Sequence, residues 1–275
     1  ISTSFMDYSA PIDKKILKKN IIRHRLEKKY PENDKSEAIE PIIYYLDPGT
    51  PEPIRTALID GAMWWNDAFE SIGFIDAFQV KILPENVDPM DCRYNVIQWV
   101  HRSTRGWSYG SSVTDPRTGE IIKGHVSLGS LRIRQDYLIG QSLIENPYSA
   151  QNKDKVLEMS LARIRQLSAH EVGHTLGFAH NFSSSTKQRS SVMDYPHPLI
   201  KIKDDKINLD SAYAIGIGEW DKISVAYSYS EFKFNQNEKA ELNKILDKSY
   251  EQGHRFITDY DARAKGGAHV NAHLW

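Results

Sequence analysis

Apolar residues recur along this chain with two different periods, and those periods mark out its elements. The run Glu40 to Leu46 (EPIIYYL) reads as a buried strand closed by the turn residues Asp47, Pro48 and Gly49. A helix follows: Pro53 suits its first turn, and Ile54, Leu58, Ala62, Trp65 and Phe69 return every three or four residues, as one buried face requires. Phe78 to Leu83 and Tyr94 to His101 are further strands, and the turn Asp115-Pro116-Arg117-Thr118-Gly119 leads into another at Ile121 to Leu128. From about Asp154 to Gly177 a longer helix is predicted by Leu157, Leu161, Ile164 and Leu167. The stretch 129–153, broken by Pro147 and Asn152, reads as an insertion loop with room for a short helix. Past residue 200, Trp220, Ile223 and Tyr227, then Leu242, Ile245 and Leu246, predict two more helices.

A strand, a helix and then several strands make an α+β fold, a mixed twisted sheet with two long helices. Ahead of it, Lys14 to Lys29 carries Ile16, Leu17, Ile21, Ile22 and Leu26 at near-helical spacing, which predicts a solvated helix or packing arm. The expected organisation is an N-terminal basic arm over 1–38 and a main domain over 39–275. The domain divides into an upper lobe of about 39–177 and a smaller irregular lower lobe of about 178–275.

Composition narrows the partners. The 275 residues are 40% apolar and 11% aromatic, so the chain folds; 35 Lys and Arg nearly cancel 36 Asp and Glu, which gives no general attraction to nucleic acid or anionic membrane. No apolar run approaches the roughly 18 residues of a transmembrane segment. The single Cys92 cannot form an internal disulfide or a thiolate metal site. A chain that opens on Ile1 and closes on Leu274-Trp275 in ordered-looking sequence is expected to act as a monomer or as part of a larger multidomain protein.

The chemistry sits at the end of the longer helix. His170, Glu171 and His174 form H-E-x-x-H, and four residues turn a helix through about 400°, so both imidazoles lie on one face and reach one ion. The run continues to Gly177 and His180, completing H-E-x-x-H-x-x-G-x-x-H. Gly177 is where the helix must stop through a left-handed residue for His180 to swing back. Three histidines on one zinc ion leave an open position, the mark of a catalytic site, and the Glu171 carboxylate stands beside it as general base. His101, His125, His197, His254, His269 and His273 lack ligand spacing and read as surface or structural. Cys92, in Asp88-Pro89-Met90-Asp91-Cys92-Arg93, does not read as an inhibitory thiol.

Ser191-Val192-Met193-Asp194-Tyr195 follows about a dozen residues after the third histidine. With the long histidine motif, it makes the chain resemble the metzincins, zinc peptidases with a methionine turn beneath the metal. Further similarity is to large bacterial exported zinc-dependent metalloproteases, through Tyr44 to Pro51, Asp115 to Ile121, the zinc motif with Asn181, and Ala268-His269 with Ala272-His273-Leu274-Trp275. The resemblance implies one catalytic zinc held by His170, His174 and His180 in a cleft between the lobes, Met193 as its apolar floor, and Tyr195 as a hydroxyl for the oxyanion. It also implies an edge strand for extended substrate, expected at Gly124, His125, Val126 and Ser127. The activity implied is endopeptidase hydrolysis by a metal-activated water, on peptide or protein substrates, in a secreted, periplasmic or cell-surface location. The alternatives are a metal-dependent amidase on a non-protein substrate and a catalytically silent zinc-containing binding module, against which an intact Glu171 argues.

Overall fold

The computed structural model describes residues 2–102, 107–233 and 235–262; the terminal motif 268–275, with His269 and His273, lies outside them. The strands are β1 (Ser2–Met6), β2 (Leu17–Ile21), β3 (Ser36–Glu37), β4 (Ile42–Leu46), β5 (Phe74–Ile75), β6 (Phe78–Ile82), β7 (Asn95–Val100), β8 (Tyr109–Thr114), β9 (Ile121–Gly129), β10 (Lys201–Lys203) and β11 (Lys206–Asn208). The helices are α1 (Ile54–Glu70), α2 (Leu131–Leu143), α3 (Ala150–Thr175), α4 (Glu219–Tyr229), α5 (Glu238–Glu251) and α6 (Asp259–Ala262), with a 3-10 turn at Phe182–Thr186.

Five strands form the main sheet in the order β6-β4-β7-β9-β8. β6, β4, β7 and β9 run parallel, and β8 alone is antiparallel to its neighbour β9. Parallel neighbours need crossover connections, and α1 supplies the one between β4 and β6. Helices α1 and α3 pack on each other: the Trp65 indole N–H donates to the Ala169 carbonyl at 2.7 Å, and Ser168 Oγ donates to that of Leu58 at 2.7 Å. Leu58, Ala62, Trp65 and Phe69 are all buried, as their spacing predicted, against Tyr44, Phe78, Ile164, Val172 and Leu176. The mixed sheet with two long helices is thus the fold, and beyond Thr175 the chain is less regular. No helix among the described residues is long and apolar enough to cross a membrane.

Three expectations need correcting. The Lys14–Lys29 segment is not helical: β2 pairs with β1 as an antiparallel hairpin, and Ile16, Leu17 and Ile21 are exposed. Beyond it, Ile22, His24 and Leu26 are buried with exposed residues between them, a period of two. Counting His24 as an inward-facing residue turns the apparent helix into an extended segment. Arg23 bridges Glu120 in parallel, with hydrogen bonds Arg23 N–H to Gly119 O at 3.1 Å and Ile121 N–H to Arg23 O at 2.8 Å. Second, the 129–153 stretch does hold the helix it had room for, α2, but at 13 residues packed on α3 it leaves little loop, and α3 itself begins inside it at Ala150. Third, β9 is not an edge strand: β7 pairs with it from Val96↔His125 to Val100↔Gly129 and β8 pairs with its other side. Gly124 opens toward the Tyr44 hydroxyl and Thr175, and Val126 and Ser127 are buried. Gly124, His125, Val126 and Ser127 therefore lie inside the sheet; among the described residues the outer strand on this side is β8.

Candidate metal centre

Helix α3 carries His170, Glu171 and His174 in its last turn and a half. It ends at Gly177, whose φ of +101° is the left-handed stop the spacing demanded. A side chain there would also collide with the Ile22 carbonyl of the N-terminal arm. That arm braces the helix end: His24 N–H donates to Tyr229 Oη at 3.1 Å, and Tyr229 Oη donates to the Leu176 carbonyl at 2.9 Å. Tyr44 Oη lies 3.1 Å from His24 Nε2 and donates to Thr175 Oγ1 at 2.8 Å. Burial pushes the His24 imidazole down to about 4, so it sits here neutral.

The three histidines meet: one ligand atom from each of His170, His174 and His180 lies within 4.8 Å of the others. Each ring is oriented through Nδ1. His170 Nδ1 is 2.8 Å from the Val192 carbonyl, His174 Nδ1 is 2.9 Å from the Phe178 carbonyl, and His180 Nδ1 is 2.6 Å from Asp259 Oδ2. A carbonyl or carboxylate only accepts, so the proton stays on Nδ1 and the Nε2 lone pair is left for an ion. His174 Nε2 and His180 Nε2 are 3.2 Å apart. Two nitrogens at about 2.0 Å from a tetrahedral ion stand about 3.3 Å apart, so this donor set fits zinc. Burial first, and then the neighbouring imidazoles, hold His170 well below its ordinary range and push His174 down to about 4, which keeps both neutral and able to ligate.

Beneath the rings runs the turn 191–193. Met193 is buried against α3, its sulfur filling the space where a side chain on Gly173 would stand. The turn is held by Asp221 of α4, which accepts from Ser191 Oγ at 2.5 Å, Val192 N–H at 2.8 Å and Gly218 N–H at 2.9 Å. Ser191 Oγ in turn accepts from Met193 N–H at 2.9 Å. Complete burial raises the Asp221 carboxyl to about 7 although these hydrogen bonds pull the other way. Residues 152–275 match a family model described as Met-zincin. Over that stretch the chain is similar to the Met-zincins. The family is one of zinc metallopeptidases, and no curated protein matches the chain.

Around the three histidines stand the other expected residues. The Tyr195 ring lies 4.6 Å from that of His180 and 5.2 Å from that of His170, between centroids. Glu171 is buried, and burial pushes its carboxyl up to about 7 against the Arg163 charge and the Gly110 N–H, both of which lower it. Gly110 is on the outer strand β8, whose backbone packs directly on Glu171. His125 is on β9 and outside the group of three; His101 pairs with Ser130 and His254 with the Trp220 ring, while Cys92 is exposed. A groove of about 560 Å³ between α2, the start of α1 and the end of β7, lined by Pro51, Ile54, Trp99, Leu131 and Tyr137, contains none of the three histidines.

Residues outside the motif complete the centre. Gln166 Nε2 donates to the Val192 carbonyl at 3.0 Å, the same oxygen that orients His170. Its Oε1 accepts from Arg163, whose guanidinium lies 5.8 Å from the Tyr213 ring. Asp136 of α2, fully buried, is gripped by Arg132 at 2.8 and 3.1 Å. Gln166 and Arg163 recur on the helix that holds the motif, but nothing in their spacing marks them. Asp221 has a weak sequence signal, an acid at the third position of a helix start.

Proposed function

We propose that this chain is a zinc-dependent endopeptidase. His170, His174 and His180 hold the ion, which when bound polarises the scissile carbonyl and makes water a nucleophile near neutral pH. Glu171 takes the proton of the attacking water and returns it to the leaving amine. The Tyr195 hydroxyl donates to the oxyanion as charge develops there. The observation that carries the peptide reading over other amides is the close packing of the Gly110 backbone of β8, the outer strand of the sheet, on Glu171. It sets a sheet edge that is unpaired among the described residues beside the proposed general base, and such an edge holds an extended chain by its backbone.

Gly110 directs its N–H away from β9, and backbone groups alternate along a strand, so Ser112 does the same. With the Gly110 amide turned to Glu171, the Ser112 amide and the outward carbonyls of β8 would carry the main chain of the substrate past the histidines.

The test is incubation of zinc-loaded protein with a diverse peptide mixture and mass spectrometry of the products. Internal cleavage is expected, and Glu171→Gln should keep the metal while losing about 10² to 10⁴ in turnover. Intact peptides after incubation with fully loaded protein, or unchanged turnover in Glu171→Gln, would refute the assignment.

A further inference from the structure

Two of the three histidines lean on backbone carbonyls contributed by residues close to the motif, while the third leans on a side chain from far along the chain. Asp259 Oδ2 stands 2.6 Å from His180 Nδ1, across 79 positions of sequence. The approach is built rather than incidental, because the segment before Asp259 is stitched to the segment after His180. Phe182 N–H donates to the Ile257 carbonyl at 2.8 Å. Asn181 ties the same two segments from its side chain, donating through Nδ2 to the Arg255 carbonyl at 2.9 Å and accepting from Ile257 N–H at 3.2 Å. Ser183 Oγ donates to the same Arg255 carbonyl, and the Phe256 ring stacks on Trp220 at 5.6 Å. Residues 255–257 are thereby fixed beside 181–183, and the chain can present Asp259 to the ring one residue before Asn181.

We propose that Asp259 is a positioning residue of the metal centre, a carboxylate that locks the His180 ring with its Nε2 toward the ion. The inference rests on the reading of the three histidines as metal ligands. It differs from the support given to His170 and His174 because the acceptor is an anion. Hydrogen bonds to an ionised acceptor are roughly twice as strong as neutral ones. Removing a partner of this kind from a ligating histidine costs metal affinity about 10- to 100-fold.

The experiment uses the whole chain stripped of metal and titrated with zinc ion in competition with a chromophoric chelator. Asp259→Ala, which removes the acceptor, should weaken zinc binding about 10- to 100-fold. Asp259→Asn, which keeps an acceptor oxygen and removes the charge, should weaken it by less. The unfolding midpoint of both metal-free variants should stay near that of the metal-free parent, since the Asp259 side chain is 41% exposed. In a His180→Ala background the Asp259 substitutions should change nothing further, because the group they act through is gone. Parental zinc affinity in both single variants overturns the inference while leaving the metal site intact. An equal loss in the presence and absence of His180 assigns Asp259 to docking of the C-terminal segment and also overturns it. Failure of the parent protein itself to bind zinc removes the metal reading and this inference with it.

Discussion

Gly173 lies one residue before His174, and its missing side chain is replaced by two neighbours. A Cβ at this position would stand 2.6 Å from Trp65 Cζ2 and closer still to Met193 Sδ, whereas ordinary contacts begin near 3.4 Å. Neither neighbour retreats easily: Trp65 is fully buried and anchored to the Ala169 carbonyl, and Met193 sits in a turn clamped by Asp221. Gly173→Ala therefore sets two effects against each other. Alanine in a helix interior gains about 1 kcal/mol over glycine. Overpacking a tight core costs about 1 to 3 kcal/mol, and the immobility of both neighbours places this site at the upper end. The net expectation is a loss of about 2 kcal/mol in urea unfolding of the metal-free protein, so that zinc linkage does not enter. Adding Met193→Ala removes the nearer obstacle but not Trp65, so the double variant should be more stable than the sum of the single changes predicts by about 0.5 to 2 kcal/mol. A metal-free Gly173→Ala protein more stable than the parent, or strict additivity with Met193→Ala, would refute this account of the floor.

Further changes probe the rest of the centre. Tyr195→Phe deletes only the hydroxyl; peptide turnover should fall mainly in kcat, by about 3 kcal/mol of transition-state stabilisation, and a change confined to KM would place the ring in substrate binding instead. Ser112→Pro removes an outward N–H from β8 without breaking a ladder bond to β9, so kcat/KM for peptides should drop while zinc content and thermal midpoint stay at parental values. Unchanged peptide turnover would show that substrate does not lie along β8. Asp221 titrates near 7 in the folded chain and near 3.8 when free of it, so the unfolded state sheds its proton first and parental stability falls as pH rises between those values. Asp221→Asn has no proton to shed, and its stability relative to the parent should improve across the same window; identical pH slopes in denaturant titrations would count against the buried carboxyl.

The histidine motif was legible because helical geometry turns sequence spacing directly into spatial proximity, and α1 and α3 were legible because their buried faces repeat every three or four residues. β8 was not. Its sequence, Tyr-Gly-Ser-Ser-Val-Thr, has no apolar alternation, because it meets α3 through the bare backbone of Gly110 rather than through a side chain. With β8 unseen, β9 was read as the edge although it lies inside the sheet. Asp259 and Asp221 were hidden for another reason: each is an ordinary acid in a polar stretch, and only the folded chain shows that one meets His180 and the other the turn under the histidines. The arm was misread because buried His24 counted as polar, which erased the alternation of Ile22, His24 and Leu26.

The stretch between β9 and α3 looks like a part that protein engineers would trim to reach a minimal catalytic unit, and its charges argue otherwise. Arg163 is wholly buried in α3, and the carboxylates acting on it are Asp136 from α2 and then Glu171. Deleting α2 would remove Asp136, the first of those carboxylates, and leave Glu171 as the remaining one beside the guanidinium that Gln166 and Tyr213 also contact. It would also draw Glu171, the proposed general base, toward a structural ion pair. A shortened version of this chain would have to exchange Arg163 for a neutral side chain of similar volume, such as methionine, in the same step.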